Sequence, residues 1–285
     1  MDAVVELDRA PAPGALYRRA ALGMLRGGRG GALPDTTVVL RDVAVSRERL
    51  TRYDDVCGFR LSDTLPGTYP HILAFPLAMR LMSDDSFPFG VVGLVHVANR
   101  VEVLRPIGAD ERLDLSVHAT DLRRHPRGRQ FDVIADATVD GQRVWRGVST
   151  YLRREKTAEP GDAGGRGERD RSQPPAATAM WRVEREVGRR YAEVSGDRNP
   201  IHTSRLGARA FGFPRPIAHG MWSAARCLAA LEGRLPDAYT MDVAFKLPIL
   251  LPATVAFSAT PGEGGWAVSL YSAKSGKPHL SGVIG

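Results

Sequence analysis

Six segments of the chain alternate apolar with polar residues at a period of two, which is the pattern of half-buried β-strands. Three lie in the first half, at residues 111–119, 130–139 and 143–152, and three lie in the second half, at residues 254–259, 266–272 and 279–284. Turn-forming pairs separate them, namely Arg127-Gly128, Asp140-Gly141, Gly264-Gly265 and Ser275-Gly276. The pattern predicts a run of antiparallel strands in each half.

A helix-compatible stretch precedes the strands of each half, at residues 76–83 and 221–232. A helical region followed by strands predicts an α+β fold, in which each sheet packs against a main helix. Near the start of the chain, residues 15–26 have the spacing of a short amphipathic helix, which the glycines that begin at Gly27 would end.

The two halves resemble each other. Residues 52–60 (RYDDVCGFR) and 190–198 (RYAEVSGDR) are identical at five of nine positions. The segments VEVLRPI at 101–107 and VAFKLPI at 243–249 are related at nearly the same offset. Two correspondences in the same order indicate an internal duplication.

Composition divides the chain into four parts. Residues 156–178 have almost no large apolar side chain and many Gly, Pro and charged residues, so they are predicted to form a flexible linker. The linker separates an N-terminal half at 36–155 from a C-terminal half at 179–285. Residues 1–35 form an N-terminal extension that is rich in Ala, Arg and Gly.

The chain has the composition of a globular protein with a basic excess: 285 residues, 43% hydrophobic content and a net charge of +7. No apolar run approaches the ~20 residues that cross a bilayer, and nothing near Met1 resembles a secretory signal, so no membrane span is expected. Cys57 and Cys227 are too few for a disulfide framework, which favours a cytoplasmic location. The charge suits an acidic partner, but no basic cluster interleaved with aromatics indicates nucleic-acid binding.

The strongest candidate chemistry lies at residues 191–222. Asp197 and His202 are separated by Pro200, which argues against a continuous helix and places both on a turn. A carboxylate and an imidazole that converge in this way can hold a water for acid–base work, and the side-chain amide of Asn199 can fix the turn. Farther on, Gly220 stands at the start of an apolar helical run, where backbone N–H groups face developing negative charge.

Structural roles also explain these residues. Asp197 and Asn199 beside a proline are ordinary turn formers, and an isolated His202 can be a packed residue. For His219, capping or packing against the helix is favoured over a catalytic role. No metal site is expected, because the segment has no HExxH, no second carboxylate at ligand spacing and no thiolates.

The Gly-Asp-x-Asn-Pro-Ile-His run at 196–202 and the Ile-Ala-His-Gly-Met run at 217–221 resemble the hydratase-2 motif of the MaoC-like hydratase/dehydratase family. The whole chain looks like the double-hotdog members of that family, loosely over 35–155 and closely over 180–285. The resemblance implies (R)-specific hydration of enoyl thioesters, or dehydration of 3-hydroxyacyl thioesters, without a cofactor. It implies that Asp197 and His202 bind the catalytic water, that Asn199 supports the turn and that the Gly220 N–H polarises the thioester carbonyl.

The first half lacks these residues. At an offset of 138 residues, Phe59 stands opposite Asp197 and Thr64 stands opposite His202; after a short insertion, Phe75-Pro76 would lie opposite His219-Gly220. One active site is therefore expected, in the C-terminal half, with the N-terminal half a degenerate copy that shapes the acyl pocket. Candidate substrate-binding residues, which could equally be core residues, are Ile217, Ala218, His219, Phe75 and Met79.

Two other functions remain as alternatives: an acyl-thioester hydrolase, and a non-catalytic acyl-thioester-binding subunit. The intact Asp197, His202 and Gly220 argue against the second, because a binder has no need of a water-activating pair. The sequence leaves open whether the partner is an acyl-coenzyme A or an acyl-carrier-protein thioester, and whether the chain is a monomer or a homodimer.

Overall fold

The computed structural model describes residues 3–12, 14, 31–155 and 174–285. The helix predicted at residues 15–26 and residues 156–173 of the predicted linker lie outside the described residues. Part of the N-terminal extension, Ala3–Leu7, forms a strand that pairs in parallel with the first strand of the N-terminal half.

The strands run close to their predicted positions. Those of the first half are β1 (Ala3–Leu7), β2 (Thr36–Val43), β3 (Leu94–Val103), β4 (Leu113–His125), β5 (Gly128–Val139) and β6 (Gln142–Arg154). Those of the second half are β7 (Ala179–Val183), β8 (Tyr239–Phe245), β9 (Ala253–Gly262), β10 (Gly265–Ser272) and β11 (Pro278–Ile284). In the described part of the chain, all of them join one sheet in the order β1-β2-β4-β5-β6-β3-β8-β11-β10-β9-β7.

The strand order is the same in both halves when it is read outward from the β3–β8 pair. β3 and β8 are antiparallel, with Val101 opposite Met241 at the centre of the pairing. They correspond to the VEVLRPI and VAFKLPI segments, so the duplication predicted from sequence places its two copies side by side at the middle of the sheet.

Helices cover the inner face of the sheet. They are α1 (Arg47–Cys57), α2 (Tyr69–Met82), α3 (Val187–Ser195), α4 (Pro200–Thr203), α5 (Arg205–Ala210) and α6 (Gly220–Ala229). α2 packs on β2, β4 and β5, whereas α6 packs on β10 and β11. The predicted α+β double hotdog is confirmed, although α2 begins seven residues before the predicted stretch at 76–83. No helix among the described residues is long and apolar enough to cross a membrane.

Alternation along each strand builds the core between the sheet and the helices. On β4, Leu113, Leu115 and Val117 are fully buried, and the residues between them are less buried. The β5–β6 turn has Asp140 at φ 49° and Gly141 at φ 77°, the positive angles that a two-residue hairpin needs. The predicted turn at this pair is therefore confirmed.

The two halves correspond at an offset of 138 residues as far as the ends of α1 and α3, but not beyond them. Gly58 and Gly196 end the two helices, each with φ 79°. Six residues then lead from Gly58 to Thr64, which bridges Gly108, whereas twenty-one lead from Gly196 to Ile217, which bridges Leu250. The second half thus carries fifteen extra residues, which contain α4 and α5.

This insertion corrects two of the predicted correspondences. Thr64 stands opposite Ile217 and not opposite His202, which has no counterpart in the first half. Pro76 lies inside α2 and not at its start, so Phe75-Pro76 does not correspond to His219-Gly220. The sequence-based alignment allowed too short an insertion, because a gap cannot be sized where no residues match.

Gly67 is the structural counterpart of Gly220, since Leu65 N–H donates to Ile107 O just as Ala218 N–H donates to Ile249 O. The Gly67 carbonyl accepts a hydrogen bond of 2.7 Å from Trp145 Nε1. The hydroxyl of Tyr239 is hydrogen-bonded to the Gly67 backbone and fills the space beside it. In the first half, the backbone that corresponds to Gly220 is therefore covered by the side chain of Tyr239.

Arg49 joins three helices from both halves. Its Nε donates to Val194 O at 2.7 Å, and its Nη2 donates to Ile72 O at 3.3 Å. Both carbonyls need an outside donor: Ile72 O because Pro76, four residues on, has no N–H, and Val194 O because it lies in the last turn of α3. One partly buried guanidinium thus satisfies carbonyls on α2 and α3 while its own backbone lies in α1.

Replacing Arg49 with Met should destabilise the fold by about 2–4 kcal/mol, because two carbonyls lose hydrogen bonds from a charged donor. Urea unfolding measures the change. The control is Arg52→Met, one helical turn along, where the exposed arginine pairs with Glu48 at 3.7 Å and the expected change is within about 0.5 kcal/mol. Equal losses in the two variants would contradict the role assigned to Arg49.

Candidate active site

Asp197 lies directly after α3, in a turn that its neighbours hold in place. Gly196 ends the helix in the left-handed region, and Asp197 N–H donates to Ser195 Oγ at 3.1 Å. Asn199 N–H donates to Asp197 Oδ1 at 3.2 Å, which fixes the carboxylate by an Asx-type bond. The Asp197 side chain is 28% exposed, so it faces an opening and not the core.

His202 lies on α4, a single helical turn whose start is fixed by the two residues at its N-terminus. Asn199 caps the turn, because its Oδ1 accepts from Ile201 N–H at 3.3 Å, and Pro200 is the first residue of the helix. α3 approaches α4 so closely that a β-carbon at Gly188 would overlap the His202 carbonyl. As predicted, no continuous helix contains both Asp197 and His202: α3 ends before Asp197, and Pro200 begins the separate short helix α4.

The ring of His202 is buried and neutral. Its Nδ1 lies 2.8 Å from Ile217 O, and the residue is 8% exposed. Burial lowers the pKa of His202 below its ordinary value, against the opposing effects of the Asp197 carboxylate and the Ile217 carbonyl. A neutral imidazole that donates through Nδ1 keeps a lone pair on Nε2. That nitrogen is therefore a base.

His219 supports both members of this pair. Its Nε2 donates to Asp197 O at 2.9 Å and lies 3.8 Å from Asp197 Oδ2. Its ring stacks on the ring of His202, with centroids 3.6 Å apart and planes inclined by 23°. Burial, followed by the neighbouring His202, lowers the pKa of His219 to about 3. His219 is 2% exposed, and these contacts tie it to Asp197 and His202.

Gly220 begins α6, as predicted. The side chain of His219 does not cap this helix, because it is turned toward Asp197, so the first N–H groups of α6 keep their partial positive charge. The ring of Phe245 on β8 stands against Gly220, where a β-carbon would lie 3.2 Å from the ring. A larger residue at this position would press on Phe245 and narrow the approach to the N–H.

The first half supplies one wall of the site, which the sequence did not reveal. His96 on β3 lies beside Phe245, with ring centroids 5.0 Å apart, and stacks on Tyr151 at 4.9 Å. His71 on α2 stacks on His96 at 6.1 Å. Burial lowers the pKa values of both histidines, and the Asp197 carboxylate opposes this shift in each, so all three lie within electrostatic reach of one another. No motif marks these histidines; only the packing of the two halves brings them here.

The candidate substrate-binding residues divide by position. The Ile217 carbonyl holds His202, while Ala218 is buried and its N–H donates to Ile249 O at 2.9 Å. In the first half, Phe75 on α2 is half-buried, whereas Met79, one turn farther, is fully buried in the core.

Donor atoms of Asp197, His202 and His219 lie within 4.8 Å of one another, which is close enough for metal ligands. The two imidazole planes are nearly parallel, so their in-plane lone pairs run side by side and do not converge as tetrahedral coordination requires. One nitrogen of each ring is also engaged with a backbone carbonyl. The geometry suits an acid–base cluster better than a metal cage.

Comparison with known proteins identifies related sequences and structures. The model of a family described as "MaoC like domain" matches residues 168–264. The chain is 38% identical over 252 residues to 3-hydroxyacyl-thioester dehydratase X of Mycobacterium tuberculosis, a match that covers 88% of this chain and 90% of that protein. It is 27% identical over 196 residues to enoyl-CoA hydratase ChsH3 of the same organism, covering 65% of this chain and 66% of that protein.

Among solved structures, the crystal structure of HtdX of Mycobacterium tuberculosis superimposes with a TM-score of 0.77 at 35% sequence identity. The match covers 87% of this chain and 98% of that chain. The likeness therefore extends over both halves and not only over the segment that the family model matches.

The buried ring of His219 should stay neutral in mildly acidic solution. At pH 5, nitrogen NMR of the imidazoles should show the Nε2–H tautomer for His219, because its pKa is about 3, whereas an ordinary histidine near 6.5 is protonated there. A His219→Phe variant assigns the signal by removing it while keeping a ring on His202. Imidazolium shifts for His219 at pH 6 would show that the ring is not buried as described.

Proposed function

Because this chain belongs to the MaoC-like hydratase/dehydratase family, we propose that its cluster of Asp197, His202 and Gly220 adds water to trans-2-enoyl thioesters and removes it from (3R)-hydroxyacyl thioesters. One observation carries the proposal: the neutral imidazole of His202, which keeps a lone pair on Nε2, has a ring nitrogen within 4.8 Å of the Asp197 carboxylate, next to the uncapped start of α6. These are the parts that hydration of a conjugated thioester requires.

In the hydration direction, a water molecule lies between the Asp197 carboxylate and Nε2 of His202. As a proton of this water passes to the pair, the hydroxide adds to the β-carbon of the substrate. The pair then returns a proton to the α-carbon, so that one H and one OH are added across the double bond. Dehydration follows the same steps in reverse.

Negative charge develops on the thioester oxygen while the α-carbon is an enolate. The Gly220 N–H, at the start of α6, donates to that oxygen and stabilises it. Asn199 is a positioning residue: it caps α4, which contains His202, and its N–H donates to Asp197 Oδ1.

One active site per chain follows from this assignment. In the first half Phe59 replaces the aspartate, the histidine segment is missing, and Gly67 is covered by Tyr239. The substrate is an acyl thioester of coenzyme A or of an acyl carrier protein. The chain works as a monomer or a homodimer in the cytoplasm, where Cys57 and Cys227 stay reduced; both are free and buried.

Substitution of the acid–base pair tests the proposal. Asp197→Asn and His202→Ala should each lower the rate of hydration of trans-crotonyl- and trans-decenoyl-coenzyme A by about a hundredfold or more, the scale of an acid–base group. The loss of absorbance of the enoyl thioester measures the reaction. The matched control is Asp55→Asn, an exposed aspartate of α1 paired with Arg190, which should leave the rate unchanged.

A wild-type protein inactive on both substrates and on the corresponding carrier-protein thioesters would refute the proposal. Release of free thiol without loss of the double bond would identify a thioester hydrolase instead. Binding of the thioesters without turnover would identify an acyl-thioester-binding subunit.

The rate should also depend on pH in a defined direction. His202 must be neutral to accept a proton from water, and burial lowers its pKa, so kcat/KM for hydration should fall to half its maximum on the acid side only below pH 6.5. Half-maximal kcat/KM at pH 6.5 or above on the acid side would contradict a buried base.

A further inference from the structure

Two histidines in the wall of the active site take no part in the acid–base cluster. His71 lies in the first turn of α2, and His96 lies on β3 with its ring nearly parallel to that of His71, at 15°. Nε2 of His96 is buried and has no hydrogen-bond partner within residues 3–12, 14, 31–155 and 174–285. A polar atom left unpaired in a site wall destabilises the empty site, and a ligand that pairs with it is favoured.

Both rings are neutral at physiological pH. Burial lowers the pKa of His71 to about 4 and that of His96 to about 3. The neutral His96 ring donates one N–H to the backbone carbonyl of Ala98, so its unpaired Nε2 keeps a lone pair that can accept a hydrogen bond from a hydroxyl. It has no charge with which to bind a carboxylate or a phosphate.

Phe245 fixes the distance of these histidines from the reacting carbonyl. One side of its ring stands against Gly220, whose N–H donates to the thioester oxygen in the proposed reaction, and the ring of His96 lies 5.0 Å from the ring of Phe245. His96 is therefore one aromatic ring away from the carbonyl carbon. That is the span of several carbon atoms of an acyl chain.

The side of the site that contains His96 is the acyl side. Beyond His96 the stack of rings continues inward. The ring centroids of Tyr151 and Phe131 are 5.7 Å apart, and those of Phe131 and Phe89 are 5.5 Å apart. Phe131 and Phe89 are buried, so this direction is closed and apolar. The pantetheine arm must lead outward to coenzyme A or to a carrier protein, which leaves the closed direction to the acyl chain.

We propose that His71 and His96 form a polar subsite for an oxygen atom on the acyl chain. The preferred substrates are then 2-enoyl thioesters whose chain carries a hydroxyl group beyond the β-carbon, over plain chains of the same length. This inference rests on the proposed function. A phenylalanine at position 96 would continue the stack from Tyr151 to Phe245. The hydrogen bond of the His96 ring to the Ala98 backbone uses one ring nitrogen and leaves Nε2 unpaired in the site wall.

The test compares hydration of trans-2-decenoyl-coenzyme A with that of its analogues bearing a hydroxyl at C5, C6 or C7. Wild type should show a kcat/KM at least about tenfold higher for one of the hydroxylated substrates, the scale of one hydrogen bond to a buried polar group. In His96→Phe, the ratio of hydroxylated to plain substrate should fall to about one or below, because the ring remains and the hydrogen bond is lost.

The matched control is His125→Phe, which removes a first-half histidine at the tip of β4 whose Nδ1 accepts from Arg127 N–H at 3.1 Å. Its substrate ratio should equal that of wild type. Wild-type ratios within threefold for all three hydroxyl positions, or a preference that survives in His96→Phe, would overturn the subsite and leave the hydratase assignment standing. If the plain thioester is not hydrated either, the proposed function fails and the subsite fails with it.

If His96→Phe does not fold, the wild-type ratios alone decide, since they need no variant. Loss of circular dichroism or of thermal cooperativity identifies that case.

Discussion

The guanidinium of Arg49 meets two backbone carbonyls that the local sequence leaves without donors, and three helices converge on it. Pro76 frees the carbonyl of Ile72 on α2, and the end of α3 frees that of Val194. The α3 carbonyl lies three residues before Asp197. The position of the Asp197 carboxylate therefore depends on a side chain from the other half of the molecule, and neither half provides a complete support for the site.

The same dependence appears at the centre of the sheet. Pairing of β3 with β8 sets His96 beside Phe245, which in turn stands against Gly220. A single repeat would have the acid–base turn and the helix start, but one side of its site would be open to water. Buried neutral histidines such as His202 and His219 need that closure, because exposure to water would restore their ordinary pKa values.

Much of the fold follows from the sequence, because alternation and turn pairs are local signals. The strands around Asp140-Gly141 and the breaks at Pro200 and Gly220 illustrate this. Motif residues also identify the acid–base turn, since Asp197 and Asn199 act on neighbours within the chain. The histidines at 71 and 96 are different: each becomes part of the site only through contact between halves. The size of the insertion was misjudged for a related reason, because inserted residues have no counterpart with which to align them.

The fifteen additional residues of the second half have a consequence for descent. In a homodimer of identical units every substitution appears twice, so both sites gain or lose function together. Within one fused chain the repeats vary separately. Here the first repeat lacks the whole segment that contains α4 and α5, and not only the side chains of an aspartate and a histidine. Exchanging Phe59 for aspartate would still leave the first repeat without α4, and Tyr239 would still cover Gly67. Single substitutions therefore cannot restore a second site in the first repeat, which is free to vary in the residues that face the substrate but keeps the contacts, such as that of Arg49, that support the second repeat.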